Sequence, residues 1–338
     1  FQPSDYFNTK LYTGNGSTQS ITGVGFQPDW VWTKKRNATC DHHIFDVLRG
    51  ATYKINSAST EASSADANTL TSFDSDGFSV GTNGCQNNSG DTFVSWNWKA
   101  NGAGSSNTDG SINTTYTSAN TTSGFSIVKY TGTGSNATVG HGLGAVPSMV
   151  IVKKTSATGD WMIYHKSLGA TKYIFLQSAD ASGTQTSIWN DTEPTTTVFT
   201  VGTSTTVNQS GQDYIAYCFA EKKGFSKFGS YTGNGNADGV FLYTGFKPAF
   251  IITKRTDSGD FWMMQDSART PTNVANKYFQ ANDSAAESTT NDVALDMLSN
   301  GFKLRNTGPH YNGSGGSYIY MAFSEESIVS SNGVPATA

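Results

Sequence analysis

Between residues 92 and 98 the chain alternates in its polarity. Val94, Trp96 and Trp98 fall on one side, and Phe93, Ser95 and Asn97 on the other. A period of two belongs to a strand, whose successive side chains point to opposite faces of a sheet. The alternation returns as Ile215, Tyr217 and Phe219 against Tyr214, Ala216 and Cys218, and again as Ile319, Met321 and Phe323 against Tyr318, Tyr320 and Ala322. The heavier face in each case predicts an inward side. Three further strands, Trp30 to Thr33, Met149 to Val152 and Phe250 to Thr253, follow Pro28, Pro147 and Pro248, where a missing N–H costs no ladder bond.

Other landmarks keep the same register. Tyr12-Thr13-Gly14-Asn15-Gly16 recurs as Tyr130-Thr131-Gly132-Thr133-Gly134 and Tyr231-Thr232-Gly233-Asn234-Gly235. Asn-x-Ser-Gly loops begin at Asn87, Asn208 and Asn312, each before a final strand. Repetition at this period predicts an all-β chain of three tandem antiparallel β-sandwich modules, jelly-roll or lectin-like, at residues 1–101, 124–223 and 224–326. The polar stretch 102–123 reads as a linker, and 327–338 as an extended tail that docks onto a partner. Trp30, Trp32, Trp96 and Trp98 are expected in a module core, with a ligand-stacking platform as the other reading.

Composition narrows the class. Charged residues make up 14% of 338 and glycines number 36, a balance that suits turn-rich β structure rather than helix. A net charge of −4 argues against nucleic acid, and no apolar run is long enough to insert in a bilayer. The chain opens at Phe1 without methionine or a signal segment, so its start is expected to be trimmed. Cys40 and Cys85 could pair, yet an odd total with no CxxC spacing favours all three cysteines, Cys218 included, being unpaired.

Hydrolases and lyases need paired carboxylates or a base beside a nucleophile. Aligned by repeat, Asp46 meets His165 and then Gln265, a scatter unlike a duplicated active site, so no enzyme activity, cofactor or metal is expected. His42 and His43, adjacent on a strand, point to opposite faces. His141 and His310 read as solvated loop residues, and Asp74 to Gly77 lacks the later ligands of a calcium loop. Asn-x-Ser/Thr triplets are too frequent here to signal glycosylation. The basic pairs Lys34-Lys35, Lys153-Lys154 and Lys254-Arg255 read as solvated strand ends that discourage edge pairing. Their alternative reading is a positive rim for acidic surface sugars, in which Arg36 or Arg255 holds a carboxylate by two parallel hydrogen bonds.

The stretches YFNTKLYTGNGSTQSITGVGFQPDWVWTKKR, SFDSDGFSVG, GFSIVKYTGTGSNATVGHGLGAVPSMVIVKK and YIYMAFSEESIVSSNGVPATA resemble repeated β modules of bacteriophage virion proteins, many from marine and cyanobacterial phages. The resemblance spans nearly the whole chain. It implies a tail fibre or surface fibre in the extracellular particle that contacts other virion proteins and host glycan, and it supplies no catalytic residues. A capsid decoration or spacer without ligand, and a tailspike-like depolymerase, are the alternatives. The family's Asp-x-x-Arg-Gly run stands at Asp46 to Gly50, is lost at Leu168-Gly169 and is altered at Ala268-Arg269. Phe93, Tyr214, Tyr318 and Tyr320 on the lighter face need cover, which together with the resemblance favours a homotrimer.

Overall fold

Turns rich in glycine and asparagine cut the chain into strands of at most seven residues in the computed structural model, which describes residues 1–326. The expected tail at 327–338 lies outside the described residues. Nearly all regular structure is antiparallel β, and helix among the described residues is limited to single turns such as Gly84–Asn87 and Thr205–Asn208.

Each repeat builds a larger sheet in one order. In the first repeat Phe7–Thr13 pairs with Thr92–Trp98, which pairs with Trp30–Lys35, which pairs with His43–Asp46. Phe125–Thr131, Asp213–Phe219, Met149–Lys154 and Trp161–His165 repeat that order in the second. Ser226–Thr232, Ser317–Phe323, Phe250–Arg255 and Trp262–Asp266 repeat it in the third. A smaller sheet accompanies each: Gln19–Thr22, Gly77–Val80 and Leu70–Asp74, then Ala137–Gly140 with Val198–Val201, then Phe241–Tyr243, Gly301–Leu304 and Leu295–Leu298.

The repeated Tyr-Thr-Gly-x-Gly and Asn-x-Ser-Gly segments are two halves of one joint. Asn87 is buried; its Oδ1 accepts from Asn15 N at 2.9 Å, and its Nδ2 donates to Gly81 O at 2.9 Å. Asn208 and Asn312 do the same with Thr133 N and Gly202 O, and with Asn234 N and Asn306 O. Gly14, Gly132 and Gly233 press against the loop so closely that a Cβ would stand 2.2 to 2.3 Å from a carbonyl oxygen. The tyrosine ahead of each glycine stacks on the final strand, in the pairs Tyr12–Phe93, Tyr130–Tyr214 and Tyr231–Tyr318.

The heavy face of the final strand does not close its own repeat. Trp30, Trp32, Trp96 and Trp98 pack in one apolar core with Ile151, Ile215, Tyr217 and Phe219 of the second repeat and Phe250, Ile252, Met321 and Phe323 of the third. Three larger sheets therefore face a common centre. The lighter face is the one that closes each repeat against its smaller sheet: Val31, Phe45, Phe78 and Val80 in the first, Tyr214, Ala216, Phe199 and Val201 in the second, Ile251, Tyr320, Phe302 and Leu304 in the third. Phe93, Tyr214, Tyr318 and Tyr320 are at most 5% exposed, covered by their own chain. One of the two grounds on which a homotrimer was expected, the uncovered aromatic face, is thereby removed, and the other, the resemblance, is left as it was.

Two other expectations are corrected. Within the supposed linker, Tyr116–Asn120 pairs with Phe125–Thr131, and Ile112 bridges to Val139 inside the second repeat's core. Few apolar residues suffice there because the segment lies along an edge. Cys40 and Cys85 form a disulfide, with Cα atoms 5.6 Å apart, that ties the strand entry to the Gly84–Asn87 turn. Forty-five residues separate them, so only the fold could bring them together. Cys218 is free and buried in the second repeat.

Candidate functional site

The polar groups best placed for chemistry lie where neighbouring repeats meet. Lys34, Lys153 and Lys254, the first residue of each basic pair, are buried rather than solvated. Lys34 Nζ donates to Ser284 O of the third repeat at 3.0 Å, Lys153 Nζ to Thr60 O of the first at 3.0 Å, and Lys254 Nζ to Ala179 O of the second at 3.1 Å. Burial brings each ammonium down to about 8, against the pull of nearby carboxylates such as Asp283, Asp160 and Asp260. Of the second residues, Lys35 and Arg255 are half-buried, while Lys154 is buried as well and donates to Gln209 Oε1 at 2.8 Å.

A second ring of contacts runs parallel to the first. His42 Nε2 meets Gln280 O at 3.1 Å, Trp161 Nε1 donates to Asn56 O at 3.0 Å, and Trp262 Nε1 donates to Phe175 O at 2.7 Å. Since His42 Nδ1 accepts from Trp32 Nε1, the ring proton sits on Nε2. Each donor serves the preceding repeat, and the first repeat serves the third. The contact pattern is cyclic within one chain.

The Asp-x-x-Arg run belongs to these junctions. Asp46 accepts from Arg49 Nε at 2.6 Å and from Tyr217 OH of the second repeat at 2.8 Å. Strand register places Asp266, one residue beyond Gln265, at the matching position, because Trp30 pairs with Asp46 as Phe250 pairs with Asp266. Asp266 accepts from Arg269 Nε at 2.6 Å and from Trp96 Nε1 of the first repeat at 3.0 Å. The run is thus kept in the third repeat. In the second repeat the position is His165, which hydrogen-bonds Tyr320 O of the third repeat at 3.2 Å, and the third repeat's equivalent of Trp96 and Tyr217 is Met321, a side chain with no donor. What reads as scatter along the sequence is matching across junctions.

The remaining candidates are likewise engaged. His43 Nδ1 meets Gln86 Nε2 at 2.8 Å, and burial lowers the imidazole to about 3. His141 is buried, not solvated: its Nδ1 accepts from Leu143 N, and its Nε2 donates to Thr195 O at 3.1 Å. His310 is half-buried and pairs through Nδ1 with Asp260, which raises its pKa. Asp76 accepts from Gly23 N and Gly25 N, and Asp74 from Ser72 and Ser79 hydroxyls, so both carboxylates hold turns. Arg36 grips Glu287 of the third repeat through Nε and a terminal nitrogen at 2.9 and 3.0 Å, while Arg255 grips Asp257 at 3.0 and 3.2 Å. The fork expected to hold a ligand carboxylate holds one of the chain's own in both cases. Among the described residues no cluster of His, Cys, Asp and Glu is placed to hold a metal ion.

The three junctions differ in how they are filled. Backbone bonds from Ser63 N to Thr155 O, Ser182 N to Thr256 O and Glu287 N to Arg36 O fix the equivalent positions. Between the third and first repeats, Glu287 lies between Arg36 and Arg269 and fills the space. Between the second and third, Leu168 replaces the arginine and Ser182 the glutamate. Between the first and second, Arg49 keeps its place, but Ser63 and Thr155 are short, and a groove of about 320 Å³ opens. Arg49, Tyr53, Ser63, Lys129, Ser156 and Asp213 line it. That volume is within the range of small-ligand sites. A shallower depression of about 400 Å³, lined by Asp41, Glu61 and Asp283, lies between the first and third repeats.

Sequence reasoning singled out the Asp46 to Gly50 run that contains Arg49 but passed over Ser63 and Lys129. A signal for the junctions was present: lysine holds the first place of the basic pair in all three repeats, whereas the second place varies. A family model described as a domain of unknown function, DUF7483, matches residues 2–327, spanning all three repeats as one unit. No curated protein matches the chain.

Proposed function

We infer that this chain, which belongs to the DUF7483 family of domains of unknown function, is a structural and adhesion protein of a bacteriophage virion, a tail fibre or surface fibre that holds host-surface glycan without altering it. Each repeat is taken as a sandwich module of jelly-roll, lectin-like kind. Two sheets enclosing an apolar cluster of their own support that reading. The resemblance of the sequence to virion β modules supports the location in the particle and the contact with other virion proteins.

The observation that carries the adhesion reading is where the chemistry-bearing groups go. Buried lysines, indoles, imidazoles and Asp–Arg pairs are committed to junctions, which stiffens the chain, while a polar groove stays open between the first and second repeats. A rigid scaffold with a preformed groove suits recognition, since little ordering is lost on binding. Mass spectrometry of purified particles, together with binding of the protein to intact host cells before and after periodate oxidation of their sugars, tests the reading. Presence in the particle with periodate-sensitive binding is expected. Absence from particles, or release of new reducing ends or unsaturated sugars, refutes it; presence in the particle with no cell binding favours a decoration or spacer role.

A further inference from the structure

We propose that the groove between the first and second repeats takes a carboxylate-bearing sugar, with the ligand's carboxylate standing where Glu287 stands at the junction between the third and first repeats. The proposal rests on the adhesion reading and adds the class of glycan. The molecule itself shows what the position accepts. Arg269 is buried, paired with Asp266, and its terminal nitrogen Nη1 donates to Glu287 Oε2 at 3.2 Å. Arg49 is its equivalent, paired with Asp46, and the same Nη1 donates to Tyr53 O at 2.8 Å and to Ser63 Oγ at 3.1 Å. Ser63 is the equivalent of Glu287 and is too short to fill the space, so a serine hydroxyl takes the donor where the other junction supplies a carboxylate.

The neighbouring changes agree with this. Arg36, which closes the filled junction, is matched by Thr155, and Leu11 is matched by Lys129, which puts a cation on the groove that neither other repeat has. Asp213 lines the same groove and already accepts from Thr131 Oγ1 at 2.8 Å, as a carboxylate does for a hydroxyl. Tyr53 is 46% exposed and offers a ring face. One cation for a carboxylate, one carboxylate and serines for hydroxyls, and an open aromatic ring suit an acidic sugar better than an inorganic anion.

Titration of the full chain with oligogalacturonate, and with a neutral galactose oligomer of the same length, tests the proposal by calorimetry. Oligogalacturonate should bind, and Ser63→Glu, which places the missing carboxylate inside the groove, should abolish binding at unchanged melting temperature. Lys129→Leu should weaken it about tenfold, as loss of a charge-assisted hydrogen bond does, and it carries the test if Ser63→Glu does not fold. Ser182→Glu, at the equivalent place of another junction, should leave binding unchanged. Oligogalacturonate binding that survives both groove variants, or equal binding of the neutral oligomer, overturns the acidic-sugar site while leaving adhesion standing. No binding of oligogalacturonate overturns the site, and if host-cell binding is then also absent the adhesion reading falls with it.

Discussion

Replacing Asp266 with alanine removes one carboxylate that serves two repeats. It accepts from Arg269 N at 2.8 Å, Arg269 Nε at 2.6 Å and Trp96 Nε1 at 3.0 Å, and both members of the ion pair are fully buried. Breaking a buried pair by deleting one partner costs about 3 to 5 kcal/mol, and the lower end applies here because Arg269 keeps Glu287 at 3.2 Å as a partial partner. The orphaned indole N–H adds about 1 to 3 kcal/mol. The two losses share one side chain and do not add fully, so about 4 to 6 kcal/mol is expected. Removing both charges together, as Asp266→Leu with Arg269→Leu, should cost about 1 to 3 kcal/mol, chiefly the indole, since an apolar replacement of a whole buried pair is often near neutral. The second repeat already does without the pair, since His165 and Leu168 stand at the positions of Asp266 and Arg269, and Met321 stands at that of Trp96. Urea titration followed by tryptophan fluorescence and circular dichroism measures both. A single substitution costing under about 1 kcal/mol, or a double costing as much as the single, would refute the reasoning.

Three further outcomes are expected. Lys34, Lys153 and Lys254 hold pKa values of about 8 in the fold, below the unfolded value of about 10.4, so the unfolded chain binds the proton more tightly and stability rises with pH above 8. The urea midpoint should be higher at pH 9.5 than at pH 7.5, and Lys254→Met should flatten the rise; the comparison stays below pH 10, where buried tyrosines such as Tyr130 and Tyr217 act in the opposite sense. Replacing Cys40 and Cys85 with serine should cost about 3 to 4 kcal/mol by freeing a loop of 45 residues in the unfolded chain, read as a lower melting temperature without loss of the native spectrum. Sedimentation equilibrium at micromolar concentration should give 36.0 kDa, one chain; a mass of three chains would show a surface between copies that the covered faces do not require.

Much of the fold is legible in local pattern. Alternation over seven residues sets a strand, a repeated Tyr-Thr-Gly-x-Gly sets a turn that only glycine can bring against Asn88 O, and self-similarity sets three equivalent units. The same reading also places Trp96, Tyr217 and Met321 at equivalent buried positions, and all three are at most 1% exposed. These features depend on neighbours a few residues away, or on comparing the chain with itself, and a sequence contains both.

The cover of each face was decided only in three dimensions. Both faces of the final strand carry apolar groups and are buried, and a period of two says that they differ without saying what meets them, so the heavy face read as a module core proved to be the shared centre. The Asp46–Tyr217 and Asp266–Trp96 bonds join residues about 170 positions apart, and their residue types make sense only as complementary pairs across a junction. For the same reason Arg36 looked like a free fork in the sequence, while Arg255 is held by Asp257, only two residues further along. What meets a guanidinium depends on which groups the fold brings to it: Glu287 reaches Arg36 and Arg269, the former from another repeat, whereas beyond Asp46 the partners of Arg49 are the carbonyls of Tyr53 and Ile44 and the hydroxyl of Ser63, with no second carboxylate.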